Sequence, residues 1–148
     1  MHNGDREELS PEQVMEQLSN GRQDFSNTWI DGSLDLSERV FEGDLSFQGA
    51  TVTEDFSMID TRVGGDLNLE SASFNNLDLQ CVKVSGDLTL HNATIYRILV
   101  LEVISIEGLV DLSIDYHEGV CTRIMVNREL AETVHWSAPQ VPLIVTRA

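Results

Sequence analysis

Lysine is nearly missing from this 148-residue chain: of nine basic residues, only Lys83 is a lysine. Against them stand 25 Asp and Glu, for a net charge of −16. Such a surface repels nucleic acid and anionic membranes and attracts basic partners. Direct nucleic-acid binding needs clustered cations, and the arginines are scattered along the chain. An acidic, lysine-poor composition fits salt adaptation, and GC-rich coding also favours arginine. Cysteine is scarce too. Cys81 and Cys121 are too few for a disulfide framework. No apolar run approaches the roughly 18 residues of a membrane-spanning helix. The first eight residues are polar and acidic, which argues against a secretory signal. The expectation is a cytoplasmic protein with a single domain over residues 1–148.

What the chain does have is a period. Units begin at Leu34, Leu45, Phe56, Leu67, Leu77, Leu88, Leu99 and Val110, each eleven residues from the last except for one step of ten. The first, third, sixth and eighth positions of every unit are apolar except at Arg39, Thr61, Asp115 and His117. A weaker copy, Phe25, Thr28 and Ile30, precedes them. Residues two apart lie on one side of an extended strand. Each unit therefore reads as two short strands with a corner between them. A helix is excluded, because apolar spacings of two, three, two and four scatter around its axis.

The tenth position sets the size of the coil. It reads Gly43, Glu54, Gly65, Asn76, Gly86, Arg97 and Gly108. Glycine at alternate units means that one corner needs a glycine backbone and the opposite one does not. One coil is then two units, about 22 residues, and the fold is an all-β solenoid of about four coils over residues 23–117. Leu45, Leu67 and Leu88 are expected to stack inside one dry column.

These residues resemble the pentapeptide-repeat proteins. In that family a small residue and a Leu or Phe point inward from each side of a four-sided, right-handed β-helix. Ala50-Thr51-Val52, Ala72-Ser73-Phe74 and Ala93-Thr94-Ile95 carry the likeness, which covers about residues 9–112. Alternate sides depart from it, with Leu at the first inward position and six residues per side. The resemblance implies a right-handed, roughly square column.

Both ends of the column need covers. Residues 1–8 read as a disordered tail, and residues 9–21 as an N-terminal helical cap. Ser10 can cap the amide of Gln13, Pro11 suits the first helical position, and Gln13 can reach back. Leu9 and Val14 are spaced as a hydrophobic staple, and Gly21 stops the helix. Residues 118–148 read as a C-terminal cap of helix plus strand. A strand is expected over 119–126, a helix over 128–136 capped by Asn127, and an extended apolar run over 141–145.

Candidate chemistry is thin. Asp44, Asp66 and Asp87 follow the corner glycines, and stacking would set them in a ladder with rungs about 5 Å apart, able either to hold cations or simply to face water. Cys81 and His91 are near in sequence, but the coil puts them on opposite sides, and His91 falls in the column of Glu70, where a surface ion pair is expected. His117, His135 and Cys121 show no metal-ligand spacing. A hexapeptide-repeat acyltransferase uses six-residue steps, which eleven-residue units do not fit. No catalytic, cofactor or metal residues are therefore assigned. Ile98, Val100 and Val103 hold outward places where earlier coils carry Asp55 and Asn76, Ser57 and Asp78, Asp60 and Cys81. That apolar patch reads either as a seat for the C-terminal segment or as a homodimer interface.

The functional expectation is a non-catalytic acidic scaffold for a protein partner with a basic surface. The alternative is a DNA-mimicking inhibitor of a type II topoisomerase or another DNA-binding protein. Some pentapeptide-repeat proteins act in that way.

Overall fold

The computed structural model describes residues 6–114, 123–127 and 143–146. A short strand β1 (Glu7–Leu9) comes first, followed by helix α1 (Pro11–Ser19). The first coil holds β2 (Thr28–Ile30), β3 (Leu34–Asp35), β4 (Val40–Phe41) and β5 (Leu45–Ser46). The second holds β6 (Thr51–Ile59), β7 (Arg62–Val63) and β8 (Leu67–Asn68), and the third β9 (Ser73–Gln80), β10 (Lys83–Val84) and β11 (Leu88–Thr89). The fourth holds β12 (Thr94–Glu102), β13 (Ser105–Ile106) and β14 (Val110–Asp111). Strands β15 (Arg123–Asn127) and β16 (Leu143–Thr146) complete the described residues.

Every strand pairs in parallel with its counterpart one coil away, so the chain is a β-solenoid of about five turns. Three sheets run along it. Sheet A has eight strands, ordered β1-β2-β6-β9-β12-β15-β16, with β3 also on β6. Sheet B is β5-β8-β11-β14, and sheet C is β4-β7-β10-β13. Two of the four expected sides merge, because β6, β9 and β12 run through the corner at Glu54, Asn76 and Arg97 as single bent strands. The register shifts there, between Val52 and Asp55 and between Ile95 and Ile98. A bulge absorbs the bend, so this corner needs no glycine.

The inward columns stack in register. Leu45, Leu67, Leu88 and Val110 are Cα partners along sheet B. Leu34, Phe56, Leu77 and Leu99 do the same in sheet A. All predicted core positions within the described residues are buried except Arg39, Ile104, Ile106 and Val110, which are half-buried. Asp115 and His117 lie outside the described residues. Phe25, Phe47, Phe56 and Phe74 form a continuous aromatic file with centroids 5.1–5.3 Å apart. Such pairs add to the burial energy of each ring. Two hydroxyls in the core are satisfied: Thr28 donates to the Phe25 carbonyl at 2.7 Å, and Thr61 to the Leu36 carbonyl at 3.1 Å.

The N-terminal cap forms as its residues dictate. Ser10 Oγ accepts from the Gln13 amide at 3.1 Å, and Gln13 Oε1 accepts from the Ser10 amide at 2.8 Å. Val14 and Leu18 join the core cluster. The expected disordered tail over residues 1–8 is corrected at its inner end; residues 1–5 lie outside the described residues. Glu7, Glu8 and Leu9 pair with Thr28, Trp29 and Ile30 as a further rung of sheet A. Arg6 pins that rung, donating to Thr51 Oγ1 and the Thr28 carbonyl, both at 2.9 Å, and to the Gly49 carbonyl.

At the C-terminal end, the strand expected over 119–126 and the extended run expected over 141–145 are present as β15 and β16. Strand β15 pairs with Ile98–Leu101 of β12, and β16 pairs with β15, so sheet A continues past the expected end of the column. Asn127, expected to cap a helix, is instead the last residue of β15 and pairs with Thr146. The helix expected over 128–136 lies outside the described residues.

Candidate functional site

The outer faces of the column are where function can reside, and the residues singled out by the sequence fall on three of them. The Gly-Asp corner joins sheets C and B. Here each aspartate reaches one coil onward. Asp44 Oδ1 accepts from the Asp66 amide, Asp66 Oδ1 from the Asp87 amide, and Asp87 Oδ1 from the Leu109 amide, each at 2.8 Å. The carboxylates thus serve as backbone acceptors at a corner where the strand ladder is interrupted, which neither the cation ladder nor free solvation anticipated. Among the described residues, no group of three or more His, Cys, Asp or Glu side chains is placed to hold a metal ion. The glycines are needed for space. At Gly65, Gly86 and Gly108 an added Cβ would lie 2.1 Å from the carboxylate of the preceding coil.

The other two corners turn on left-handed backbone. Asn27, Gly49, Ser71 and Asn92 stack at one, with φ between 57° and 69°. Glu38, Asp60, Cys81 and Val103 stack at the other, with φ between 53° and 61°. Asn tolerates this region, whereas a β-branched Val does not.

Cys81 and His91 are not brought together. Cys81 is exposed at the corner between sheets A and C. His91 lies just past β11 in sheet B. The expected pair with Glu70 is corrected: the ring turns the other way, with Nδ1 2.8 Å from Ser113 Oγ and 3.7 Å from Asp111 Oδ2. Ser113 also donates to Asp111 Oδ1. The trio has the composition of a hydrolase triad without its geometry. A triad needs the acid and the serine on opposite ring nitrogens; here both face Nδ1. The hydrogen bonds from the Ser113 side chain and amide hold the Asp111 carboxyl below its usual value. Asp24 is lowered in the same way by Ser26. At the N-terminus, the Arg22 guanidinium, 2.7 Å from Glu7, holds the Glu7 carboxyl below its usual value and is itself raised by that hydrogen bond.

Sheet A carries the apolar patch. Ile98 succeeds Asp55 and Asn76 in register, and Val100 succeeds Ser57 and Asp78. Ile98 and Val100 are half-buried, while Val103 is 52% exposed. The C-terminal strands do not lie across this face. They join it edge-on, with Arg123 beside Ile98 and Met125 beside Val100.

Sheet C carries what sequence reading missed. Its outward column is Val40, Arg62, Lys83 and Ser105, in direct register. Arg39 precedes Val40. None of these three cations makes an ion pair or side-chain hydrogen bond among the described residues. The signal was present, since Arg62 and Lys83 sit one coil apart at the same place in their units, but the arginines were read as scattered. Open depressions of about 430 and 310 Å³ lie on this face and share Arg62, Lys83 and Ser105.

No helix among the described residues is long and apolar enough to cross a membrane. Comparison of the chain with protein-family models, with curated proteins and with solved structures gives no significant match.

Proposed function

We propose that this chain is a non-catalytic scaffold, a stiff acidic column that presents flat polar faces to a protein partner. The observation that carries the reading is the stacked outer lattice. Asp55 accepts from Asn76 Nδ2 at 2.8 Å, and Asn76 Oδ1 accepts from the Ile98 amide at 3.0 Å. Asp24, Asn68 and Asp111 each accept from the amide two residues on, at 3.0 Å. Side chains held at the strand spacing of about 4.8 Å need little further ordering on binding, which lowers the entropic cost of association. The likeness to pentapeptide-repeat proteins is part of this proposal, and the acidic lattice suits a partner with a basic surface.

Affinity capture from the native host tests it, using the intact chain beside an Asp35→Lys, Asp78→Lys variant that keeps the same circular dichroism. A saturable partner that binds the native chain and not the variant supports the reading. Failure to retain any saturable partner refutes it.

DNA mimicry is the second reading, favoured by the overall acidity. It calls for an unbroken acidic stripe. The outward columns instead alternate carboxylates with Ser, Asn and Thr, and sheet C is cationic, which weighs toward the scaffold. Inhibition of gyrase supercoiling at micromolar protein would reverse that ranking. A homodimer through Ile98, Val100 and Val103 is compatible with either reading, and the mass in solution at high concentration decides it.

A further inference from the structure

We propose that the outer face of sheet C binds a short phosphate chain, held between Arg62 and Lys83. The argument begins with a conflict. Arg62 and Lys83 are Cα partners on adjacent parallel strands, about 4.8 Å apart. Like charges placed directly opposite each other on neighbouring strands destabilise a sheet. The chain has carboxylates in abundance, yet among the described residues none answers these two. Glu38 and Asp60 line the same depression and Glu107 its neighbour, but none comes within 4 Å of a cationic nitrogen there. Arg39, half-buried one residue before Val40, likewise makes no ion pair among the described residues. Arg62 and Lys83, on successive coils, therefore face solvent together on a chain of net charge −16.

An anion of several charges relieves that repulsion. Arginine offers a planar fork that matches phosphate oxygens in pairs, and lysine adds a compact point charge. A chain of linked phosphoryl groups running along the column axis meets the cations in turn, because their spacing is the coil spacing. The depression of about 430 Å³ beside them is walled by Val40 and Val103, 70% and 52% exposed, which leaves room for an apolar or aromatic group attached to the phosphates. The net negative charge opposes an approaching anion, but at physiological salt that field fades over about 8 Å.

Titration calorimetry of the full chain with inorganic triphosphate, and separately with ATP, tests this, both without added divalent cations. The native chain is expected to bind triphosphate saturably. Arg62→Gln and Lys83→Gln should each weaken binding about tenfold or more, as expected for loss of a charge-assisted contact. The double variant should lose binding while melting no lower than the native chain, because the opposed charges are gone. Tighter binding of ATP than of triphosphate assigns the phosphates to a nucleotide, and the reverse assigns them to a free oligophosphate. The proposal is overturned if neither probe gives a saturable signal at low millimolar concentration, or if the double variant binds as well as the native chain.

Discussion

Replacing Gly86 with alanine isolates the contact that spaces the coils. The new Cβ would lie 2.1 Å from Asp66 Oδ1 and 2.9 Å from the Gly65 carbonyl carbon and oxygen. Two costs follow. The carboxylate must swing aside and release the Asp87 amide, an exposed hydrogen bond contributing about 1 kcal/mol. The Gly65 backbone cannot swing, so the methyl also forces the coils apart, an overpacking cost of about 1–3 kcal/mol. Gly86→Ala should therefore cost about 2–4 kcal/mol. Gly43→Ala is the internal control. That glycine heads the same column, but nothing lies within 4 Å of its Cβ position. It has only its φ of +91° to lose, which costs about 1 kcal/mol. Asp66→Ala should cost about 1 kcal/mol. The Asp66→Ala, Gly86→Ala double variant should cost about 1 kcal/mol less than the two single changes together, because both remove the same hydrogen bond. Urea unfolding followed by far-ultraviolet circular dichroism, with the slopes compared, measures all four. If Gly86→Ala is no worse than Gly43→Ala, or the cycle is additive within about 0.3 kcal/mol, then the aspartate is not wedged under the next glycine and the corner works some other way.

Three further outcomes are expected. Val103→Asn should raise stability by about 1 kcal/mol, since it relieves a β-branched residue at φ 53° on an exposed corner; a loss of stability in the same urea assay would show that Val103 packs against something. Phe56→Ala should cost about 3–5 kcal/mol, because its ring contacts both Phe47 and Phe74 in the buried file, and an effect below 1 kcal/mol in calorimetry would contradict that packing. The carboxyls of Glu7, Asp24 and Asp111 lie below their unfolded values, so their contribution is complete above the usual carboxylate range and is lost as pH falls through the folded values. The Asp24→Ala, Asp111→Ala double variant should therefore show a flatter acid limb in melting temperature against pH, and an unchanged limb would remove these groups from acid unfolding.

The column itself was legible from the chain. Leu45, Leu67 and Leu88 announce one inward file, because an apolar side chain two residues from another shares its side of a strand whatever surrounds it. The helix start at Ser10, Pro11 and Gln13 was legible for the same reason: capping is a local exchange of hydrogen bonds. The alternation of Gly43, Gly65, Gly86 and Gly108 with Glu54, Asn76 and Arg97 announced the length of the coil. What the period could not reveal was which neighbour a side chain meets across coils. Asp44, Asp66 and Asp87 read as turn residues facing water, with a cation ladder as the alternative; the amide that each one meets lies one coil onward. His91 was assigned Glu70 below and took Ser113 and Asp111 above. The merging of two sides into β6, β9 and β12, the rung made by Glu7–Leu9, and the continuation through β15 and β16 are pairings between distant segments, with no local period to mark them. The stacked cations of sheet C belong with these: Arg62 and Lys83 oppose each other only because the chain has gone once around. Periodicity acts within a strand and is written in order along the chain, whereas register acts between strands, and only the closed coil decides who stands opposite whom.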